Sequence, residues 1–597
     1  MNKKQNNNQR KALLSGNEAI ARGAYEAGVK VATGYPGTPS TEILETLVRH
    51  EDVYVEWSTN EKVAFEVAYG AAVSGGRALV AMKHVGVNVA ADPLFAASYT
   101  GIRGGLVIVT ADDPEMYSSQ NEQDNRNYAK FAKIPMFEPS DSQEAKDFVK
   151  LAFEISEAFD TPVFLRTTTR LSHSKSVVEL SHPEEHAFGK TLAKEPRKFV
   201  LLPRYSRIRH PLVEERIERL SDFADVFDKN EMDINDTSFG IITSGVCYHY
   251  AKESFPDYSF LKLSMVYPLP EKKIREFAER VKKVYVFEEL DPFFEEQIKA
   301  LGIDVTGKDI FPRCGEFSPA IAEEKIKGVA EIKGNSFSDQ LPPRPPNMCP
   351  GCPYRPVFYT LKKLGLFVAG DIGCYTLGAL APLEAIDSTT CMGASIGYAM
   401  GIEKLFGTDA AGKAVAIIGD STFLHSGIPA VLNMVYNKGA CTVIVLDNRT
   451  IAMTGRQDHP GTGFTLRGDK TKGVDYGLLC RSLGVDHVVT VNPFDMVHLE
   501  TVVKKETSRL EPSVIISQAP CVLHRRVVKT PVPQRVVSGE KCTGCGECLK
   551  LICPAIEWQR NENGKKAFIN KALCSGCSVC EQVCKEGAIT TANEQNG

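Results

Sequence analysis

Eight cysteines in two tight runs near the carboxyl end constrain this chain more than any other feature of its sequence. They read Cys542-x2-Cys545-x2-Cys548-x4-Cys553-Pro554 and Cys574-x2-Cys577-x2-Cys580-x3-Cys584. At this spacing three thiolates on one loop cap a 4Fe-4S cluster, and in a doubled arrangement the fourth of each run reaches the other cluster. By that logic Cys542, Cys545, Cys548 and Cys584 hold one 4Fe-4S cluster, and Cys574, Cys577, Cys580 and Cys553 hold the second. Two departures stand out: the first run has an extra residue before Cys553, which a loop must absorb, and Lys585 takes the place of a second proline. A zinc ribbon would instead use four cysteines in two pairs.

The remaining composition narrows the setting. The segment Met1–Leu14 is polar and lacks the apolar core of a signal peptide, and no run of about 18 apolar residues offers a membrane span. A cytoplasmic protein with no membrane partner is therefore expected, and its 17 cysteines read as metal ligands rather than disulfides. Lys and Arg are interleaved with Asp and Glu at a formal net charge of −4, so no basic stripe exists to bind nucleic acid.

At 597 residues and 43% apolar content, several cores are expected. Short apolar runs (Val29–Thr33, Ala78–Met82, Leu106–Thr110) alternate with helical patterns such as Asn60–Ser74, which predicts a parallel α/β domain over 1–190. A charged, basic-aromatic connector covers 191–235. A smaller α/β domain spans 236–335, with strands at Gly240–Ser244, Leu261–Val266 and Lys283–Phe287 and a helix at Glu271–Val281. The Pro-rich stretch Leu341–Pro346 marks a boundary, and 336–530 again alternates strand and helix, with buried strands at Ala414–Ile418, Cys441–Leu446 and Ser513–Ser517. The cysteine-rich module fills 531–597.

Gly419-Asp420-Ser421 follows one of these strands, and Asp447-Asn448-Arg449-Thr450 ends the next. A carboxylate and an amide at adjacent strand ends can hold Mg2+ together with water and diphosphate oxygens, at the edge where an open α/β sheet binds ligands. The spacing resembles the thiamine diphosphate motif, with Ser421 in place of its second glycine. That resemblance implies Asp420, Asn448 and the Thr450 carbonyl as Mg2+ ligands, with Gly419 and Ser421 completing the cofactor loop. Glu61 resembles the activating glutamate that opens a small-residue helix in thiamine enzymes and exchanges a proton with the aminopyrimidine. A glutamate in a helix's first turn is otherwise ordinary dipole chemistry, and Glu66, one turn on, is the alternative. His84, His425 and His459 lie near these loops and receive no role.

With Gly34-Tyr-Pro-Gly-Thr-Pro-Ser40 after the first strand and Met453-Thr-Gly-Arg-Gln457 after the metal loop, the chain resembles the 2-oxoacid:ferredoxin oxidoreductase family over nearly its whole length. The fold this implies is α/β: a multidomain thiamine-diphosphate-binding fold of parallel sheets flanked by helices, with a C-terminal ferredoxin-like α+β two-cluster domain. Its order is pyrimidine-binding domain, transketolase C-terminal-like domain, diphosphate-binding domain and cluster domain. Thr38 matches a threonine implied to lie beside substrate and cofactor. Pyruvate-specific members carry an arginine for the substrate carboxylate after a later strand, where this chain has Ala111-Asp112-Asp113-Pro114, which favours a 2-oxoacid other than pyruvate. An aryl pyruvate is expected, with a pyruvate- or 2-oxoglutarate-type member of the family as the alternative. The implied reaction is oxidative decarboxylation with coenzyme A, an external ferredoxin taking the electrons. The resemblance further implies a third, proximal 4Fe-4S cluster on Cys349, Cys352, Cys374 and Cys521, with Cys391 competing for the place of Cys374. It also implies a smaller beta subunit supplying a gamma-type domain, in a heterotetramer of two alpha and two beta chains.

Overall fold

A computed structural model describes residues 10–186, 194–328, 346–526, 532–561 and 564–592. The chain forms two compact units, 1–336 and 337–597. The proline stretch lies almost wholly outside the described residues, as do the first part of the connector and most of the link into the cysteine module.

In the first unit, Ala78–Lys83, Leu106–Asp112 and Val163–Thr168 are buried along their whole length. Strands covered on both faces read as continuous apolar runs rather than alternating ones, the pattern of a parallel sheet under helices. They form the centre of a seven-stranded sheet in the order Met265–Tyr267, Met136–Phe137, Val163–Thr168, Leu106–Asp112, Ala78–Lys83, Val31–Gly34, Tyr54–Trp57. Only Met265–Tyr267 runs antiparallel to its neighbour. A second sheet orders Val284–Phe287, Asp236–Ser244, Tyr258–Leu263 and Glu231–Asp233, the last antiparallel.

Two elements depart from the sequence reading. The apolar run expected as one strand over Leu261–Val266 is divided between the two sheets at Ser264. The Asn230 side-chain oxygen accepts from both the Ser264 and Met265 N–H groups, at 2.9 and 3.0 Å, and satisfies the backbone where it leaves one sheet for the other. Within the charged connector lies a helix, Pro203–Val226, whose buried face is Val213, Arg216, Leu220 and Ala224. Its apolar stripe is narrow, and Arg216 is held instead by the carbonyls of Ser98 and Asp160, so charge density hid a packed helix.

The second unit is built on five parallel strands in the order Phe367–Ala369, Ala414–Gly419, Thr442–Asp447, Ser513–Gln518, His487–Val491. The cysteine module adds two small antiparallel pairs, Arg535–Val537 with Ile589–Thr591 and Ile556–Asn561 with Gly564–Ile569. Its buried Cys542, Cys548 and Cys580 pack with Leu551, Val579 and Ile589. Among the described residues no helix is long and apolar enough to cross a membrane.

Phe164, fully buried at the centre of the first sheet, sets a stability test. Phe164→Ala should cost about 3–5 kcal/mol, read as a lower urea midpoint for the transition that unfolds the first unit.

Candidate functional site

In the first unit the candidate residues gather at the carboxyl ends of the parallel strands. Val31–Gly34 runs into the Tyr35–Ser40 turn, fixed by Asn17 donating to the Pro39 carbonyl at 2.6 Å and Ser40 Oγ donating to the Gly37 carbonyl at 2.9 Å. Thr38 stands half-buried in this turn. After Tyr54–Trp57, Asn60 caps the helix Glu61–Val73 by accepting from the Val63 N–H at 2.9 Å. This helix start buries Glu61 to 6% exposure. Glu66 is exposed and paired with Lys62. The Glu61 carboxylate lies against Gly86, on which a Cβ would come within 2.8 Å of Glu61 Cγ and Oε1. Only glycine leaves room for that carboxylate.

The strand Ala78–Lys83 delivers two residues that the sequence reading passed over or left without a role. Lys83 is 8% exposed, and burial, opposed by the Asp113 carboxylate, pushes its ammonium down to about 8. His84 is fully buried; its Nε2 faces the Asn121 carbonyl at 3.2 Å, and its Nδ1 has no hydrogen-bond partner among the described residues. The neighbouring strand ends at Asp112, whose Oδ2 accepts from Arg166 Nε at 2.7 Å. Burial pushes the Asp113 carboxyl up, but hydrogen bonds from Ser119, Thr169 and the Ser118 N–H, with Lys83 nearby, hold it below its usual range.

In the second unit Gly419, Asp420, Ser421, Asn448 and Thr450 lie together. Asp420, Ser421, Asn448 and Thr450 are buried, and a Cβ on Gly419 would meet the Tyr375 ring at 2.8 Å. Asp420 accepts from the N–H groups of Ser421 and Arg449 at 2.9 and 2.8 Å, and Asn448 Oδ1 accepts from the Thr450 N–H at 3.0 Å. His459 Nε2 lies 3.3 Å from the Asp420 carboxylate, a neighbour without a sequence signal. Burial, then the adjacent Asp420 carboxylate, raises the Asp447 carboxyl above its usual range. Crowded, buried oxygen acceptors are what a small divalent cation relieves, so this donor set fits Mg2+.

Twelve of the 17 cysteines fall into three sets. Cys548, its thiol raised to about 11 by burial, feels Cys584, Cys542 and Cys545. Cys580, also raised by burial, is raised further by Cys577, Cys553 and Cys574, and less by Cys548 of the other set. The extra residue before Cys553 is taken up by a 3-10 turn over Glu547–Leu551 and a left-handed Ile552 at φ +54. Cys352, raised to about 12 by burial, neighbours Cys521 and Cys374, and Cys374, raised to about 11, neighbours Cys521 and Cys349. Cys391 has only Asp371 as its charged neighbour. The Cys521 N–H donates to the Asn448 carbonyl at 2.9 Å, joining the third set to the Asp420–Asn448 loop. Backbone N–H groups point at sulfur in each set: Ala588 to Cys584 at 3.3 Å, Arg535 to Cys574 at 3.5 Å and Leu523 to Cys521 at 3.4 Å. Among the described residues no three His, Cys, Asp or Glu side chains are gathered as ligands of a single ion. Four thiols per set is the donor chemistry of a 4Fe-4S cluster, in which each thiolate takes a separate iron.

Residues 22–218 match the family described as pyruvate flavodoxin/ferredoxin oxidoreductase, thiamine diphosphate-binding, and residues 371–517 match the thiamine pyrophosphate enzyme, C-terminal TPP binding domain. The chain is 43% identical over 98% of its length to the indolepyruvate oxidoreductase subunit IorA of Archaeoglobus fulgidus, covering 98% of that protein. It is 42% identical to the same-named subunit of Pyrococcus horikoshii, over 98% of this chain and 97% of that one. A 2-oxoglutarate synthase subunit KorA from Methanothermobacter thermautotrophicus is 24% identical over 51% of the chain and 94% of its own length.

Gly86→Ala tests the fit around Glu61. In a helix this substitution ordinarily stabilises by roughly 0.5–1 kcal/mol; here the new Cβ displaces the Glu61 carboxylate. C2 proton exchange of thiamine diphosphate, followed by NMR on the loaded protein, should slow tenfold or more while the far-ultraviolet spectrum is unchanged.

Proposed function

Because the chain belongs to the indolepyruvate oxidoreductase subunit IorA family, thiamine-diphosphate-dependent oxidoreductases acting on 2-oxoacids, we propose that it oxidatively decarboxylates aryl pyruvates, indolepyruvate among them. The products are an arylacetyl-CoA, carbon dioxide and reduced ferredoxin. The bond to the carboxylate breaks and its electron pair stays on the former keto carbon. The two electrons of that pair then leave singly to two ferredoxins, while the coenzyme A thiol gives up its proton and its sulfur forms the thioester. Thiamine diphosphate, when bound, supplies the sink for that electron pair.

The chain's own residues do the rest. Asp420, Asn448 and the Thr450 carbonyl hold Mg2+ against the diphosphate, with Gly419 and Ser421 shaping the loop. Glu61, buried against Gly86, holds and returns the proton that its partner nitrogen needs. Thr38 offers a hydroxyl beside the substrate. Cys349, Cys352, Cys374 and Cys521 hold the proximal 4Fe-4S cluster; Cys542, Cys545, Cys548 and Cys584 hold a second, and Cys574, Cys577, Cys580 and Cys553 a third. A smaller beta subunit carries the gamma-type domain in a heterotetramer of two alpha and two beta chains, working in the cytoplasm. The observation that most supports this reading is the hydrogen bond from Cys521 to Asn448, because it sets one cysteine group at the edge of the oxygen-donor loop, where electrons must leave.

Indolepyruvate with coenzyme A should bleach the iron–sulfur absorbance of the purified holoenzyme, and pyruvate or 2-oxoglutarate should do so at least tenfold more slowly; the reverse order of rates would replace the aryl assignment. Asp420→Ala should abolish the bleaching and the retention of thiamine diphosphate and Mg2+ while leaving the resting absorbance intact. In Cys374→Ser, iron analysis should show a loss of about four irons per chain, with the thiamine content unchanged.

A further inference from the structure

Lys83 is a buried cation without a matching anion. Its ammonium donates one hydrogen bond, to the Ser118 carbonyl at 2.5 Å, and no carboxylate lies within ion-pair distance of it among the described residues. Two nearby buried cations are matched: Arg166, on the strand Val163–Thr168, pairs with Asp112 and Glu138, and Arg126, at the start of the helix Arg126–Ala132, with Asp124 and Glu288, each at 2.7 Å or less. Arg216 is instead held by the carbonyls of Ser98 and Asp160. An unmatched buried charge costs several kcal/mol, and such a residue persists where a ligand offsets the cost. Three observations locate that ligand. The Lys83 stem runs along Gly37, whose added Cβ would lie 3.0 Å from Lys83 Cβ, so the lysine borders the turn that carries Thr38. Lys83 is the N-cap of the helix His84–Thr100, which has no side-chain cap and no acid in its first turn, leaving an end that favours negative charge. Three residues on, Gly86 receives the Glu61 carboxylate.

We infer that Lys83 receives the carboxylate of the 2-oxoacid. The inference rests on the reading that the 2-oxoacid is bound beside Thr38 and Glu61. Its chemistry suits the reaction: the carboxylate must lose its charge as carbon dioxide leaves, and a rigid bidentate guanidinium would stabilise the state the reaction has to discharge. A single point charge on a flexible stem orients the group with less to undo. The groups facing Lys83 are the Ser118 carbonyl and the Asp113 carboxylate from the loop after Leu106–Asp112, with the His84 ring beside it in sequence. Burial sets its ammonium at about 8. Carboxylate binding is therefore complete below that pH and is lost as the pH rises through it.

The test uses the thiamine-loaded holoenzyme and an unreactive probe, 3-(indol-3-yl)propionate, against its primary amide, by calorimetry. The wild type should prefer the acid at pH 7, and its affinity for the acid, not for the amide, should fall by up to tenfold per pH unit above about 8. Lys83→Met should weaken acid binding tenfold or more, leaving amide affinity, thiamine content and iron content unchanged. Lys83→Arg should keep acid binding and lose the alkaline fall. An acid preference retained by Lys83→Met, or a wild-type affinity flat to pH 9, overturns the assignment to Lys83 while the 2-oxoacid reading stands. A wild type that neither prefers the acid nor is bleached by any 2-oxoacid overturns both. If Lys83→Met fails to fold, the wild-type pH series and Lys83→Arg still decide.

Discussion

Strands buried on both faces leave only their ends for chemistry, and both units of this protein are built on such strands. Inside the sheet every backbone group is spent on the ladder and every side chain on packing. The Thr38 turn, Glu61, Lys83 and Asp112 all stand where a parallel strand stops or just beyond it. Asp420, Asn448, Cys374 and Cys521 do the same in the second unit. One edge of each sheet thus collects residues far apart in sequence, and the loops there need glycine wherever a functional side chain or ring is packed against the backbone, as at Gly86 and Gly419.

Burial at those edges sets the electrostatics. In the first unit Arg126 and Arg166 sit among four carboxylates and Arg216 is met by two carbonyls, whereas the Lys83 ammonium has a single carbonyl. In the second unit burial raises the thiols of Cys352, Cys374 and Cys548. Arg355, 3% exposed, bonds to the carbonyls of Cys349 and Leu551, and its side chain lies near Cys553, Cys352, Cys349 and Cys577. It ties the cysteine module to the loop that precedes the five-stranded sheet of the second unit.

What the sequence determined by itself was whatever local spacing encodes. The apolar runs Ala78–Met82, Leu106–Thr110, Ala414–Ile418 and Ser513–Ser517 are strands to within two residues, because full burial writes an unbroken apolar word. The helical pattern read over Asn60–Ser74 is the helix Glu61–Val73. Tertiary structure alone decided the rest. Nothing local shows that the run after Tyr258 changes sheets at Ser264, since that turns on the Asn230 side chain. The helix within the connector was hidden because its buried face is held partly by an arginine finding backbone carbonyls. The choice of Glu61 over Glu66 as the buried carboxylate, the approach of His459 to Asp420 and the isolation of Lys83 depend on which distant groups arrive at the same strand ends. That is a property of strand order, which hydrophobic periodicity along one strand does not contain.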